Sequence, residues 1–439
     1  MIRQKVKKPA ISEEILEDVQ RESFAYFMHE ANPKNGLVAD CTRPGSPASI
    51  AAVGLALSSY PVGVEKGFIT RFAGRKRTLA TLRFFRDSVQ STAPDATGYK
   101  GFYYHFLEMK TGRRAWKCEL STIDTAFLIA GMLTAAAYFS ADQRDEREIR
   151  QVADELYRRV DWQWAQNGKP TVTHGWKPGR GFLKYRWQGY DEALFLYLLG
   201  LGSPTHPLPT ESFDQWAVTY KWCRIYGQKF LYSGPLFTHQ ISHLWIDFRK
   251  IRDAYMRRKR SDYFENSRRA THVQHRYACE NPGKFIGYSS HCWGITASDG
   301  PGPARRTING KRRTFFGYKA RGVPDGPDDG SVSPWVVAAS LPFAPELVLP
   351  ALKYFEHVKL RESTPYGFRA TFNSTFTDRA DPSRSWVSPY TYGLNQGPIV
   401  LMIENYRSEM LWTLMKKCPY LITGLRRAGF TGGWISQVD

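Results

Sequence analysis

From about Ser12 the chain places Ile15, Leu16, Val19, Tyr26 and Phe27 at helical spacing, with Glu13 and Glu14 where a helix start favours negative charge. The same spacing predicts helices at about Thr78–Val89, Thr122–Phe139, Glu146–Ala165, Asp191–Leu201, Ser212–Tyr226, Ile241–Arg257, Tyr263–Glu280, Ser333–Leu341, Pro345–Glu356 and Pro398–Lys417. Several are apolar on every side, above all Thr125–Phe139 (TAFLIAGMLTAAAYF) and the segment after Asp191, the pattern of helices shielded all round by others. Alternating strand-like runs are few, and Tyr99–Leu107 and Thr171–Leu183 read as hairpins within loops. Long Gly/Pro/aromatic loops occupy Gly294–Gly330 and Arg361–Gln396, and loops of such length usually carry function. No change of composition divides the chain. The expected architecture is all-α: one domain over 1–439, a two-ring helical toroid whose long loops form a cleft at one end, preceded by a flexible basic segment at 1–11.

Composition refines this picture in three ways. Hydrophobic residues make up 42% and aromatic residues 14%, which supports a large packed core with aromatic rings to spare for flat, apolar ligand faces. The net charge of +20 suggests attraction to anions, yet the basic residues are scattered, with short clusters only at Arg257–Arg260 and Lys311–Arg313. Without a zinc-finger or RNP-type motif the charge reads as a solvated basic surface, and nucleic acid ranks last among partners. Six cysteines without a CxxC pair fit free thiols in a reducing compartment. The longest apolar run, about 15 residues, is too short to span a membrane, and no apolar leader follows the basic start. A cytoplasmic protein is expected, or a periplasmic one if a leader has been removed. The oligomeric state stays open.

The candidate chemistry begins at GYDEALFLYLLGLGSPTHPLP (Gly189–Pro209), where two acids stand at the mouth of an apolar helix. Asp191 suits a helix cap. Glu192 would face partial desolvation there, which raises a carboxyl pKa toward what a general acid needs. His239, His243 and Asp247 follow i, i+4, i+8 spacing in GPLFTHQISHLWIDFR and would share one helical face, as metal ligands or as a hydrogen-bonded polar stripe. No HExxH accompanies them, so no metal is expected. Asp299, Asp325, Asp328 and Asp329 sit in Gly/Pro-rich loops, where turn support competes with acid–base work. Phosphate-cradle, dinucleotide and nucleophile-elbow motifs are absent. Carboxylates, abundant aromatic rings and a helical toroid point together to carbohydrate, whose glycosidic bond is cleaved by a proton donor and a second carboxylate without a cofactor.

The motifs STIDTAFLIAG (121–131), GYDEALFLYLLGLGSPTHP (189–207), GPLFTHQISHLWIDFR (234–249), YFENSRRAT (263–271), CWGITASDGPGP (292–303), PDDGSVSPWVVAASLPFAPE (327–346), YGFRATFN (366–373) and NQGPIVLMIENYRS (395–408) run in order over most of the chain. As a set they resemble the glucoamylase-like family that includes bacterial endo-β-1,2-glucanases and the transglycosylase domain within cyclic β-1,2-glucan synthases. The resemblance implies an (α/α)6 barrel with a central cleft for β-1,2-linked glucan. Within it, Glu192 becomes the catalytic acid, and Asp329, Asp299 and Asp247 become candidates for the second carboxylate. Asp124, Asp191, His239, His243, Tyr392 and Gln396 are expected to contact the substrate, and the resemblance makes Trp245, Trp293 and Trp335 candidates for sugar stacking. Glu404, on an apolar helix beside Arg407, also reads as a buried structural acid.

Two departures from the family pattern stand out. Ser289–Ser290 precede HCWG where relatives carry an acid, and Ala370 fills a slot that is Asp in some glucanases. A serine hydroxyl is not ionised near neutral pH and cannot replace such an acid unaided. The sequence therefore points to a glycoside hydrolase acting on β-1,2-glucan or a close relative. A β-1,2-glucan transglycosylase and a catalytically silent glucan-binding protein are the alternatives.

Overall fold

The computed structural model describes residues 10–362, 364–377 and 384–438, with side chains from residue 13 onward. The segment expected to be flexible at 1–11 lies outside the described residues except for its last two, which open the first helix, α1 (Ala10–His29). In chain order there follow α2 (Ile50–Glu65), α3 (Arg71–Asp87), α4 (Thr122–Tyr138), α5 (Arg144–Arg159), α6 (Leu194–Gly202), α7 (Glu211–Ala217) and α8 (Ala254–Arg258). Then come α9 (Tyr263–Glu280), α10 (Pro334–Ala338), α11 (Pro345–His357), α12 (Gly393–Ser408), α13 (Met410–Met415) and α14 (Pro419–Arg427). The protein is mostly helical, and the loops add six small antiparallel sheets among the described residues.

Helices α2, α4, α6 and α12 are buried along most or all of their length, as helices without a polar face must be. Ser49 and Ser121 start the first two by accepting hydrogen bonds from the Ala52 and Asp124 N–H groups, which would otherwise be unpaired at a helix end. The polar residues inside α2 are satisfied locally: Ser58 and Ser59 donate to the Gly54 and Leu55 carbonyls. α2 and α4 cross backbone to backbone. A Cβ on Gly131 would lie 2.0 Å from the Gly54 carbonyl oxygen, and one on Gly54 would lie 2.2 Å from the Phe127 carbonyl oxygen. Only glycine permits that approach. α2 also packs on α12, α4 on α6, α6 on α14, and α10 on both α11 and α12.

The largest sheet runs Gly98–Tyr99, Phe102–Tyr104, Leu120–Ser121, Gly175–Lys177 and Gly181–Phe182, each strand antiparallel to the next. It contains the segments expected as loop hairpins. Because Ser121 ends one of its strands and caps α4, the sheet fixes where α4 begins.

Several expected helices are corrected. Ser212–Tyr226 yields only α7 before a hairpin, Trp222–Ile225 with Gln228–Leu231, which turns through Tyr226 and Gly227 at φ of 47° and 79°. Ile241–Arg257 is no continuous helix: two 3-10 turns, Leu236–His239 and Ile241–Leu244, precede the short α8. α2 and α14 have no counterpart in the sequence expectation, since IAAVGLALSSYPVGV offers no polar face and carries Gly and Pro. All six cysteines are free thiols, and no helix among the described residues is long and apolar enough to cross a membrane.

Candidate active site

A cleft of about 310 Å³ opens where the N-terminal ends of α4, α6, α10 and α12 converge. Glu192 lies in the turn just before α6, Asp124 in the first turn of α4, Trp335 near the start of α10 and Leu394 near the start of α12. Helix starts carry partial positive charge, which favours acids at this end. The site of the two acids at the entrance of α6 thus follows from local chemistry, and Asp191 takes the structural part. Its carboxylate accepts from the Ala193 N–H and from Trp216 Nε1, both at 3.0 Å. Burial pushes its pKa up despite those two donors.

Glu192 is raised further into the range of a proton donor. Burial is the main cause, with the neighbouring charges of Asp191 and Asp124 adding to it and a hydrogen bond to its own backbone N–H opposing. Across the cleft, Asp124 is 8% exposed and accepts from the Ser121 hydroxyl. His105 also lines the cleft, with Nε2 3.6 Å from Asp124 and Nδ1 2.9 Å from Glu119. Burial pulls the His105 pKa down, but Asp124, Glu119 and Asp40 outweigh it and lift it to about 9. The hydrogen bond from His105 in turn holds Glu119 down at about 2. Asp40, on the loop before α2, is raised to about 6 by burial, His105 opposing and Asp124 reinforcing. The cleft therefore brings together a carboxyl raised toward the protonated form, Glu192, and a second acid, Asp124, beside an imidazolium.

Of the residues expected in the site, Glu192, Asp124 and Trp335 line this cleft, and the Trp335 indole N–H has no protein partner. Gln396, fully buried in the first turn of α12, leaves both amide atoms without a protein partner. Tyr392 caps the same helix, within electrostatic reach of Asp299 and Asp40.

Other expected residues are placed elsewhere. Trp245 is wholly buried between Phe127 and Phe195 and donates its indole N–H to Ser58, so its ring offers no face to a sugar. Trp293 is also fully buried and lies outside the cleft lining. The breaking of the 239–247 segment into 3-10 turns disperses the polar stripe. His239 bonds Ser233 and Asn266, His243 bonds Ser267, and burial keeps both neutral at about 4 and about 3. Asp247 pairs with Arg249 and Lys416, away from the cleft. Asp329 forms a two-pronged ion pair with Arg321, both side chains fully buried. Asp299 accepts from Ser388, and burial raises its pKa. Asp328 accepts from the hydroxyls of Tyr277 and Tyr288. Ser290 is exposed and Ala370 buried, and neither lines the cleft, so the two departures leave its acids untouched. Glu404 accepts from Gln20 and Ser408 as a structural acid. Among the described residues no group of three or more His, Cys, Asp or Glu is placed to hold a metal ion.

Sequence reasoning missed His105, Glu119, Asp40, Trp187, His174 and Tyr318. Trp187 stacks on His174 at 3.8 Å in the cleft wall and donates its N–H to Thr122. Tyr318 is 73% exposed and overhangs the cleft within electrostatic reach of Glu192, Asp124 and Asp40.

The pattern of the Glycoamylase family, described as "Putative glucoamylase", matches residues 184–419. An exo-β-1,2-glucooligosaccharide sophorohydrolase (non-reducing end) of Parabacteroides distasonis is 30% identical over 95% of this chain, which spans 58% of that protein's length. The solved endo-β-1,2-glucanase of Chitinophaga pinensis, in complex with sophorotriose and glucose, superposes with a TM-score of 0.84 at 26% identity, over 96% of this chain and 99% of its own. A Bacteroides uniformis structure, carrying the same description as the family, reaches a TM-score of 0.85 at 31% identity over 98% of this chain and 100% of its own.

Proposed function

The chain belongs to the Glycoamylase family, and on that premise we propose that its cleft hydrolyses β-1,2-linked glucan with Glu192 as general acid. The observation that supports this reading is one cleft lined both by a carboxyl that burial raises, Glu192, and by a second acid, Asp124, 3.6 Å from His105. The names of the sophorohydrolase and the endo-glucanase supply the linkage. We further assign the helices to an (α/α)6 barrel, with α2, α4, α6, the paired 3-10 turns, α10 and α12 as inner elements. The packing of α2 on α4 and α12, of α4 on α6 and of α10 on α12 supports this arrangement.

In the reaction, Glu192 gives its proton to the glycosidic oxygen as the bond from that oxygen to the anomeric carbon breaks. Asp124 takes a proton from the water that attacks the anomeric carbon, with His105 3.6 Å from its carboxylate. Asp191 helps to keep Glu192 protonated by its own negative charge. Trp335 and Tyr318 supply ring faces to the sugar. The test is incubation with linear β-1,2-glucan while reducing ends and product sizes are followed. New reducing ends that vanish in Glu192→Gln support the assignment. Unchanged glucan, or full activity in that variant, overturns it. Products lighter by one water, without new reducing ends, would mark ring closure instead of hydrolysis.

A further inference from the structure

A groove of about 790 Å³ lies beside the cleft, within the roughly 300–1,000 Å³ usual for ligand sites. Residues 39 and 41 belong to its wall and flank Asp40, whose carboxyl acts on the cleft residues His105 and Asp124. Trp116 stands on the lip of the groove, 65% exposed. Its indole is 5.0 Å from Phe106, and Phe106 stacks at 4.0 Å on His105. A row of three rings therefore leads from the acids to the groove.

The turn that displays Trp116 is strained. Cys118 N–H donates to the Ala115 carbonyl, and both central residues, Trp116 and Lys117, sit at φ of 52°. Glycine or asparagine adopts that left-handed conformation readily, whereas a bulky side chain is held there only by its surroundings. Here the surroundings are explicit: Arg114 donates to the Cys118 and Lys117 carbonyls at 2.6 and 2.8 Å, and its guanidinium lies over the Tyr104 ring. Strain maintained at such a position marks ligand sites more often than ordinary loops. The side chain so presented is a large ring facing water.

We propose that Trp116 and this groove form a distal subsite for a glucosyl unit of the glucan chain where it leaves the cleft past His105, a proposal that rests on the hydrolase reading above. The indole offers a flat apolar face to the C–H side of a pyranose ring. Arg43, Glu108 and Lys110 offer donors and acceptors to its hydroxyls. Acids and bases alternate around the groove, Glu30 and Glu108 among Arg43, Lys110 and Arg114, which suits a neutral polyhydroxyl ligand better than an anion.

The experiment measures kcat/KM of the full chain on purified β-1,2-gluco-oligosaccharides of increasing length, for the wild type, Trp116→Asn and Trp116→Phe. Asparagine removes the ring and fits the left-handed backbone, so folding is preserved. The wild type is expected to gain in kcat/KM with length. In Trp116→Asn the long-to-short ratio falls about ten-fold, mainly through KM, and Trp116→Phe recovers most of it. Calorimetric binding of long glucan to the same proteins follows the same order. An unaltered long-to-short ratio in Trp116→Asn overturns the subsite while leaving the hydrolase reading intact. A wild type that neither cleaves nor binds glucan overturns both.

Discussion

His105 places Nε2 3.6 Å from the Asp124 carboxylate, so a residue between two loop strands meets the first turn of α4 in the cleft. Asp124 is on α4, whereas His105 is the bend between the strands Phe102–Tyr104 and Phe106–Leu107.

Replacing His105 by Gln is expected to remove a pH-sensitive source of stability. The folded pKa of His105 is raised from about 6.5 to about 9, so the protein binds this proton more tightly folded than unfolded. The resulting stability is complete below the ordinary pKa and disappears as pH rises through about 9. Thermal midpoints of the wild type should decline over that window, and those of His105→Gln should decline less. The same variant raises the acidic limb of the activity profile, because Glu119 and Asp40 lose the positive charge that favours their ionised forms.

Glu192→Gln should lower kcat about 10²- to 10⁴-fold, the usual contribution of a general acid. It should also stabilise the protein at alkaline pH. A carboxyl raised in the fold costs stability as pH climbs above its ordinary value toward its folded one, and Gln has no proton to lose. Activity of the wild type falls over the same rise, when the acid ionises. A melting curve and a pH–rate profile check both, and a Gln variant less stable at pH 9 than the wild type contradicts the assignment.

Asp329→Asn is expected to damage the fold, in contrast to Glu192→Gln. It leaves the Arg321 guanidinium buried without its carboxylate, at about 3–5 kcal/mol. Arg321 also donates to the Ser298, Phe316 and Gly317 carbonyls, so the loops that carry Tyr318 loosen with it. Urea denaturation should show the loss, and activity should fall in step with stability.

Gly131→Ala tests the crossing of the inner helices. Alanine normally favours a helix over glycine by about 1 kcal/mol. Here its Cβ would meet the Gly54 backbone at 2.0 Å, which forces α2 and α4 apart at a cost of about 1–3 kcal/mol or more. The midpoint of denaturation should therefore fall, opposite in sign to what propensity alone predicts.

How far the sequence was legible varies from one element to the next. Thr122–Tyr138 and Tyr263–Glu280 match their expected spans to within one residue, because caps and periodicity are local properties. The helix expected over Ile241–Arg257 failed, since its apolar positions satisfy helical spacing while their burial is shared among 3-10 turns packed on other elements. Trp245 reads like a sugar platform and is a core residue, a distinction that depends on Phe127 and Phe195 more than 40 residues away in sequence.

By itself the sequence determined that apolar helices would shield one another and that Asp191 and Glu192 would stand at the mouth of one of them, since both follow from neighbours within a turn or two. Only the tertiary structure decided that Asp124 and His105 line one cleft with Glu192, while Asp247, Asp299 and Asp329 are held by partners of their own. A carboxylate's role depends on which charges and how much water surround it, and distant segments supply those surroundings only after the chain has packed.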